Sequence, residues 1–186
     1  MPKTLRVVAI LRFLYNRPVP IEEGSDTTNL RVGIGHDTHR LGPGGPLKLG
    51  GMEIPYDRTL IGHSDADVLL HAVTDALLGA ASLGDIGQLF PDTDVANRDR
   101  DSSEMVLAAL QRVMASGFSV VNVDCIVFAE QPKLGPFFDS LRSRMAELLE
   151  IAPEAVGIKA KTGEGVGPVG KGEAMSAQCV VLLEGK

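Results

Sequence analysis

"SDADVLLHAVTDALLGAAS", residues 64–82, carries a helical pattern between two segments that read as strands, and this placement decides the fold class. Ser64 with Asp67 three residues on fits a capping box, and Gly84 offers a stop. Upstream, "RVGIG" (31–35) reads as a strand, and "GPGGPLKLGGMEIPYD" (42–57) as turns and a short hairpin punctuated by Gly and Pro. Downstream, "LGDIGQLFPDTD" (83–94) is too rich in Gly, Pro and Asp for regular structure and reads as an exposed, shaped loop. A second helix is predicted over about 102–116, with Asp101 and Glu104 as its start and Gly117 as its end. "FSVVNVDCIVFAE" (118–130) is a long β-branched strand, a third helix spans about 134–150, and 155–162 and 174–184 are strands. Helices and strands do not alternate one by one. The expected class is α+β, with a mixed or antiparallel sheet and helices on one face.

The 186 residues are 44% hydrophobic and 23% charged, enough apolar content for one domain with a core. The net charge is −6 and there is no long Lys/Arg run, so the chain is not built to track nucleic acid. No apolar stretch approaches the ~18 residues of a membrane span. Cys125 and Cys179 lie in apolar runs and read as reduced core residues rather than a disulfide framework. Residues 1–30 differ in character and read as a flexible extension. They are poor in Ser, and Arg12 interrupts the apolar run, which fits neither transit nor signal peptide well. A cytoplasmic protein is expected, with organellar addressing by this extension left open.

Residues i and i+2 of an extended segment share a side, so Asp37 and His39 of "GIGHDTHRL" (33–41) present a carboxylate and an imidazole together at a strand end. His71 lies on the helix, four residues from both Asp67 and Asp75. Asp, His and His suit a zinc site with an open position; each histidine also suits an ordinary hydrogen-bonding role. All four histidines, His36, His39, His63 and His71, fall between residues 36 and 71. Asp85, Asp92 and Asp94 are either turn residues bonding their own backbone or a carboxylate cluster for polyol hydroxyls. "KTGEGVGPVGKGE" (161–173) lacks the Walker spacing; it is either a hairpin connection or a backbone cradle for phosphate, where Glu164 could bind Mg²⁺.

In order, "RVGIGHDTHRL", "HSDADVLLHAVTDALLGAASLGDIGQLFPDTD", "AEQPKLG" and "IKAKTGEGVGPVGKGE" resemble the 2-C-methyl-D-erythritol 2,4-cyclodiphosphate synthases of the non-mevalonate isoprenoid pathway, over residues 31 to about 184. The resemblance implies a lyase working as a homotrimer with active sites at the subunit interfaces. Its reaction cyclises 4-diphosphocytidyl-2-C-methyl-D-erythritol 2-phosphate with release of CMP. It implies a divalent metal, typically Zn²⁺, on Asp37, His39 and His71, and Mg²⁺ or Mn²⁺ with the substrate phosphates at Glu164. By motif position, Thr38, His63 and Ser64 lie beside the phosphates, and His63 and Thr162 aid the transition state. Asp85, Ile86 and Gly87 with Phe90, Pro91, Asp92, Thr93 and Asp94 correspond to the methylerythritol segment. Ala129, Pro132, Lys133, Leu134 and Gly135 correspond to the cytosine pocket and part of the phosphate contacts, and Lys161, Thr162, Gly163, Glu164 and Lys171 are implied as further substrate-binding positions.

The chain departs from the family pattern in places, most of them in one loop. The usual T-T-T-E reads "KTGE" here, so Lys161 and Gly163 replace hydroxyls; Pro168 replaces an aromatic and Lys171 an Arg. His36 stands where an aromatic is common. Lys171 cannot reproduce a bidentate Arg fork.

Overall fold

The computed structural model describes residues 29–186. The expected 1–30 extension lies outside the described residues except for Asn29 and Leu30, and Leu30 already opens the first strand. Strand β1 (Leu30–Pro43) is followed by a hairpin, β2 (Leu47–Leu49) and β3 (Met52–Ile54), and then by β4 (Arg58–Ile61). Helix α1 (Val68–Ala80) leads into a helical turn (Ile86–Leu89), a 3₁₀ turn (Val95–Asn97) and helix α2 (Ser102–Ala115). Strand β5 (Phe118–Phe128), helix α3 (Phe138–Leu149), strand β6 (Val156–Lys161), a turn (Gly167–Gly170) and strand β7 (Ala174–Gly185) complete the chain.

The main sheet has the order β4-β1-β7-β5-β6; β6 runs parallel to β5 and every other pairing is antiparallel. The α+β expectation of a mixed sheet therefore holds. One reading of the 161–173 loop does not: β6 and β7 are not neighbours, so the loop is a crossover past β5 rather than a hairpin connection. Its Gly163 has no space for a side chain, because a Cβ there would lie 2.4 Å from the Gly170 nitrogen. The close packing of Gly163 on Gly170 thus leaves this loop position to glycine.

The core lies between one face of the sheet and the helices. Val123, Cys125 and Val127 of β5 and Ala177, Cys179, Val181 and Leu183 of β7 are buried there against Leu69, Leu70, Val73 and Leu77 of α1. Cys125 and Cys179 are buried, unpaired by disulfide and directly opposite in register. On the other face, β1 presents Val32 and Ile34 at 69% and 62% exposure, with Val180 of β7 also exposed. Alternation along β1 puts the even positions on this uncovered face and the odd ones under the helices.

The odd positions of β1 set the approach of α1. A Cβ on Gly33 would fall 2.0 Å from the Ala76 carbonyl oxygen, and one on Gly35 would fall 1.9 Å from that of Ala72. The helix backbone thus lies directly on the strand, and the next odd positions, Asp37 and His39, meet the next helical turn at His71. Strand β1 does not stop at this motif but continues to Pro43, so Asp37 and His39 sit within the strand rather than at its end.

The predicted capping box at Ser64 is not formed. Asp67 itself caps α1, its Oδ1 accepting from the Leu69 and Leu70 amides at 3.2 and 3.1 Å. Its Oδ2 accepts from the Gly51 amide at 2.7 Å, tying the β2–β3 turn to the helix start. The Ser64 hydroxyl is engaged with His71 instead. Asp101 caps α2 as expected, accepting from Ser103 at 2.8 Å, and Gly117 follows the helix end with φ +85°. Asp85 caps a short helical turn inside the 83–94 segment and Asp94 caps the 3₁₀ turn that follows it, so the exposed segment is partly regular despite its Gly, Pro and Asp content.

Candidate metal centre and its two clefts

Asp37 Oδ2, His39 Nε2 and His71 Nδ1 form a triangle with sides of 2.8, 2.9 and 3.0 Å. Among the described residues this is the group of His, Cys, Asp and Glu side chains close enough to hold one ion. Tetrahedral zinc with bonds of ~2.0–2.1 Å places its ligand atoms about 3.3 Å apart, so the donor set and its spacing fit such an ion with slight opening of the triangle. Three protein donors leave the fourth position of a tetrahedral ion free.

The electrostatics favour charge separation at this point. Burial raises the Asp37 pKa, but hydrogen bonds and charge from His39 and His71 outweigh it and hold the carboxyl below the usual range. Burial works against a charged His39, yet the hydrogen bond and charge of Asp37 prevail and its pKa lies above the ordinary value. The second Asp37 oxygen accepts from the Thr38 amide at 2.7 Å. His71 is held from behind: its Nε2 lies 3.0 Å from Ser64 Oγ and 2.9 Å from Ser102 Oγ.

Beside the triangle is a cleft of about 150 Å³ lined by His39, His63, Ser64, His71, Ile86, Gly87, Phe90 and Asp92, together with Asn97 and Met105. The metal-ligand, phosphate and methylerythritol candidates are thus brought together. Asp85, Pro91, Thr93 and Asp94 shape the segment without lining the cleft. The Asp85 carboxylate accepts from the Gln88 amide and side chain, and Asp94 accepts from Ala96. Asp75 Oδ1 accepts from the Ile86 amide at 2.7 Å and pins the segment to α1; burial pushes the Asp75 pKa up.

A second cleft, of about 360 Å³, is lined by Ala129, Pro132, Lys133, Leu134, Gly135, Lys161 and Thr162, with Pro136, Phe138 and Ala160. Within one chain it is separate from the first, so the two candidate catalytic residues, His63 and Thr162, do not share a cleft. Both clefts nevertheless lie at the same end of the sheet. In register, Thr38 stands opposite Ser176, Ser176 opposite Phe128, and Phe128 opposite Lys161. At ~4.8 Å per strand, this row spans about 14 Å.

Three further positions line neither of these clefts. Thr38 alternates away from Asp37 and lines a different cleft with Arg40, Arg58 and Pro168. Glu164 is exposed on the crossover loop with φ +49° and is not part of the triangle, and Lys171 is exposed on the same loop. Sequence reasoning missed Asn97, Met105, Asp65, Ser102 and Glu130. Glu130 Oε2 accepts from the Gly163 amide at 3.1 Å and joins the two segments of the second cleft. No spacing rule marks these residues, because each partner lies on another element.

Comparison with known proteins agrees with this geometry. Residues 30–184 match the model of the YgbB family. A 2-C-methyl-D-erythritol 2,4-cyclodiphosphate synthase of Rhodopirellula baltica is 55% identical over 153 residues, covering 82% of this chain and 92% of that one. The solved structure of a 2-C-methyl-D-erythritol-2,4-cyclodiphosphate synthase in its CDP-bound form superposes with a TM-score of 0.77 at 39% identity, over 82% of this chain and 99% of that one. The bifunctional IspDF of Campylobacter jejuni superposes with a TM-score of 0.83 at 39% identity, over 86% of this chain but only 43% of that longer one. With the fold, the donor triangle and the matched length in agreement, the chain belongs to the YgbB family.

Proposed function

We propose that this protein catalyses the cyclisation of 4-diphosphocytidyl-2-C-methyl-D-erythritol 2-phosphate to 2-C-methyl-D-erythritol 2,4-cyclodiphosphate, releasing CMP. The observation that carries the reading is the Asp37–His39–His71 triangle opening beside the 86–92 segment on a chain of this family. It is an enzyme, a phosphorus–oxygen lyase. An oxygen of the substrate 2-phosphate attacks the β-phosphorus, the α–β bridging bond breaks, and its electron pair leaves with CMP. The nucleophile is already on the substrate, so no covalent enzyme intermediate is needed, and the protein contributes positioning and electrostatics.

Asp37, His39 and His71 would hold a divalent ion, zinc by the chemistry of these donors, which would supply positive charge at the diphosphate; Glu164 would hold Mg²⁺ or Mn²⁺ only together with the substrate phosphates. His63 and Ser64 donate to phosphate oxygens from the first cleft. Thr162 donates from the second, where the 129–135 segment with Lys161 takes the cytidine. Ile86, Gly87 and the segment from Phe90 to Asp94 hold the methylerythritol. The small size of this cleft, about 360 Å³, favours cytosine over larger purines by shape. Gly163 and Lys171 offer only backbone and a single point charge, so the loop grips phosphate less firmly than hydroxyls and an Arg would.

The active form is a homotrimer in this reading, with the first cleft of one subunit facing the second cleft of its neighbour. Two features support it: the separation of His63 from Thr162 within one chain, and the uncovered apolar face carrying Val32, Ile34 and Val180. Among the described residues no helix is long and apolar enough to cross a membrane.

The test is ³¹P NMR of the protein with the cytidylyl substrate, Zn²⁺ and Mg²⁺, with Asp37→Ala as control. Cyclic diphosphate and CMP, absent in the variant, are the expected outcome. Linear phosphate products would identify a hydrolase instead, and no turnover despite bound metal and bound nucleotide would point to a binding protein.

A further inference from the structure

Behind His71 runs a chain of polar side chains that the reaction does not use. Ser102 is fully buried at the first residue of α2, and its Oγ lies 2.9 Å from His71 Nε2. The same Oγ donates to Asp65 Oδ1 at 2.5 Å, while the Ser102 amide donates to Asp65 Oδ2 at 3.3 Å. Asp65 is held in turn by the Asp67 amide at 3.3 Å, by its own amide on the Arg100 carbonyl at 3.1 Å, and by Lys48 Nζ at 3.8 Å.

A serine has one hydroxyl proton, and a carboxylate only accepts. With that proton committed to Asp65, Ser102 Oγ can meet His71 only as an acceptor. The proton of the neutral His71 ring must then sit on Nε2, which leaves a lone pair on Nδ1, the atom that points into the triangle with Asp37 and His39. We propose that Asp65 and Ser102 are positioning residues that act through His71: together they select its Nε2–H tautomer, fix its ring, and thereby build the site's affinity for a divalent cation.

The same assignment acts on Ser64. Its Oγ accepts from the Ala66 amide at 3.3 Å and also faces His71 Nε2 at 3.0 Å. Since Nε2 carries a proton, the Ser64 hydroxyl has no acceptor there and turns its own proton towards the cleft that it lines. The link from Asp65 through Ser102 thus aims a ligand atom at one side of His71 and frees a donor at the other.

The inference rests on the triangle being a metal centre, and the experiment separates the two. Zinc affinity of the full chain is measured by competition with a chromophoric chelator for wild type, Asp65→Asn, Ser102→Ala, Ser102→Thr and the Asp65→Asn/Ser102→Ala double variant. Thermal unfolding of each metal-free protein reports the fold. Asp65→Asn is nearly isosteric, but its amide can donate to Ser102 and release the serine proton towards His71, which favours the wrong tautomer. Asp65→Asn and Ser102→Ala should each weaken zinc about 10–100-fold without a matching loss of metal-free stability. Ser102→Thr, which keeps the hydroxyl, should restore most of the affinity, and the double variant should be no weaker than the weaker single one. Wild-type affinity in both Asp65→Asn and Ser102→Ala, or effects that multiply in the double variant, would overturn the proposal. A wild type that takes up no zinc would overturn the metal centre itself.

Discussion

Gly35→Ala puts the strand–helix contact that builds the site to the test. The new Cβ would lie 1.9 Å from the Ala72 carbonyl oxygen and 2.7 Å from the Ala76 nitrogen. Ordinary contact begins near 3.4 Å, so α1 must withdraw by the difference, about 1.5 Å. Both clashing groups are backbone and cannot rotate aside. Overpacking of a core costs about 1–3 kcal/mol, and with no soft neighbour this site should reach or exceed the upper end. The withdrawal carries His71 with it, whereas a metal chelate tolerates about 0.2 Å of misplacement. Zinc affinity should therefore fall by more than the roughly 100-fold expected from disturbing a supporting residue. Gly79→Ala, on the same helix, is the control: its nearest neighbour is the Ile34 oxygen at 3.9 Å. A helical Gly with room for a methyl should be neutral to about 1 kcal/mol more stable as Ala, with zinc affinity unchanged. Urea unfolding of the metal-free proteins and chelator competition give both readouts. If Gly35→Ala stays within about 0.5 kcal/mol of wild type and still binds zinc, close approach of strand and helix is not what assembles the site.

The triangle also gives metal-free protein and metal binding opposite pH slopes. His39 has a folded pKa above its unfolded value of ~6.5, so its stabilisation is complete below that pH and is lost as pH rises through the folded value. Asp37 is held below the ordinary ~3.9, so its contribution is present above that value and is lost as pH falls through its lower folded value. Metal-free stability should peak between these limits and decline on the alkaline side, while zinc affinity rises there because binding needs a neutral imidazole. Urea midpoints and zinc titrations from roughly pH 5 to 9 check both slopes, and a flat metal-free profile above neutrality would count against the Asp37–His39 pairing. Ile34→Asp places a charge on the exposed apolar face and should convert the proposed trimer to monomer with loss of turnover, as read by light scattering; an active, unchanged oligomer would refute the interface. Asp101→Ala removes the α2 cap and should cost about 1 kcal/mol in chemical unfolding, with zinc affinity unaffected.

Much of this protein is legible along the chain because local patterns carry it. The long β-branched run 118–130 becomes β5, the α2 cap and stop fall at Asp101 and Gly117, and the 83–94 segment is exposed as its Asp and Gly content requires. The Asp37–His39 pair follows from the two-residue alternation of an extended strand. The start of α1 lies at Asp67 rather than Ser64, because a Ser-x-x-Asp pattern cannot reveal that Ser64 engages His71 and that Asp67 takes the cap.

Strand order, by contrast, depends on pairings between segments far apart in sequence. Nothing local says that β7 inserts between β1 and β5 and turns the 161–173 loop into a crossover. The same long-range packing brings His71 onto Asp37, places Ser102 behind His71 and Asp65 behind Ser102, and parts His63 from Thr162 into two clefts. Period and capping report on a residue's own turn or strand, so the chain shows Asp37 and His39 sharing one side of a strand and His71 on a helix. Their mutual distances, and the partners that orient them, arise only when the glycines of β1 let α1 close against the sheet.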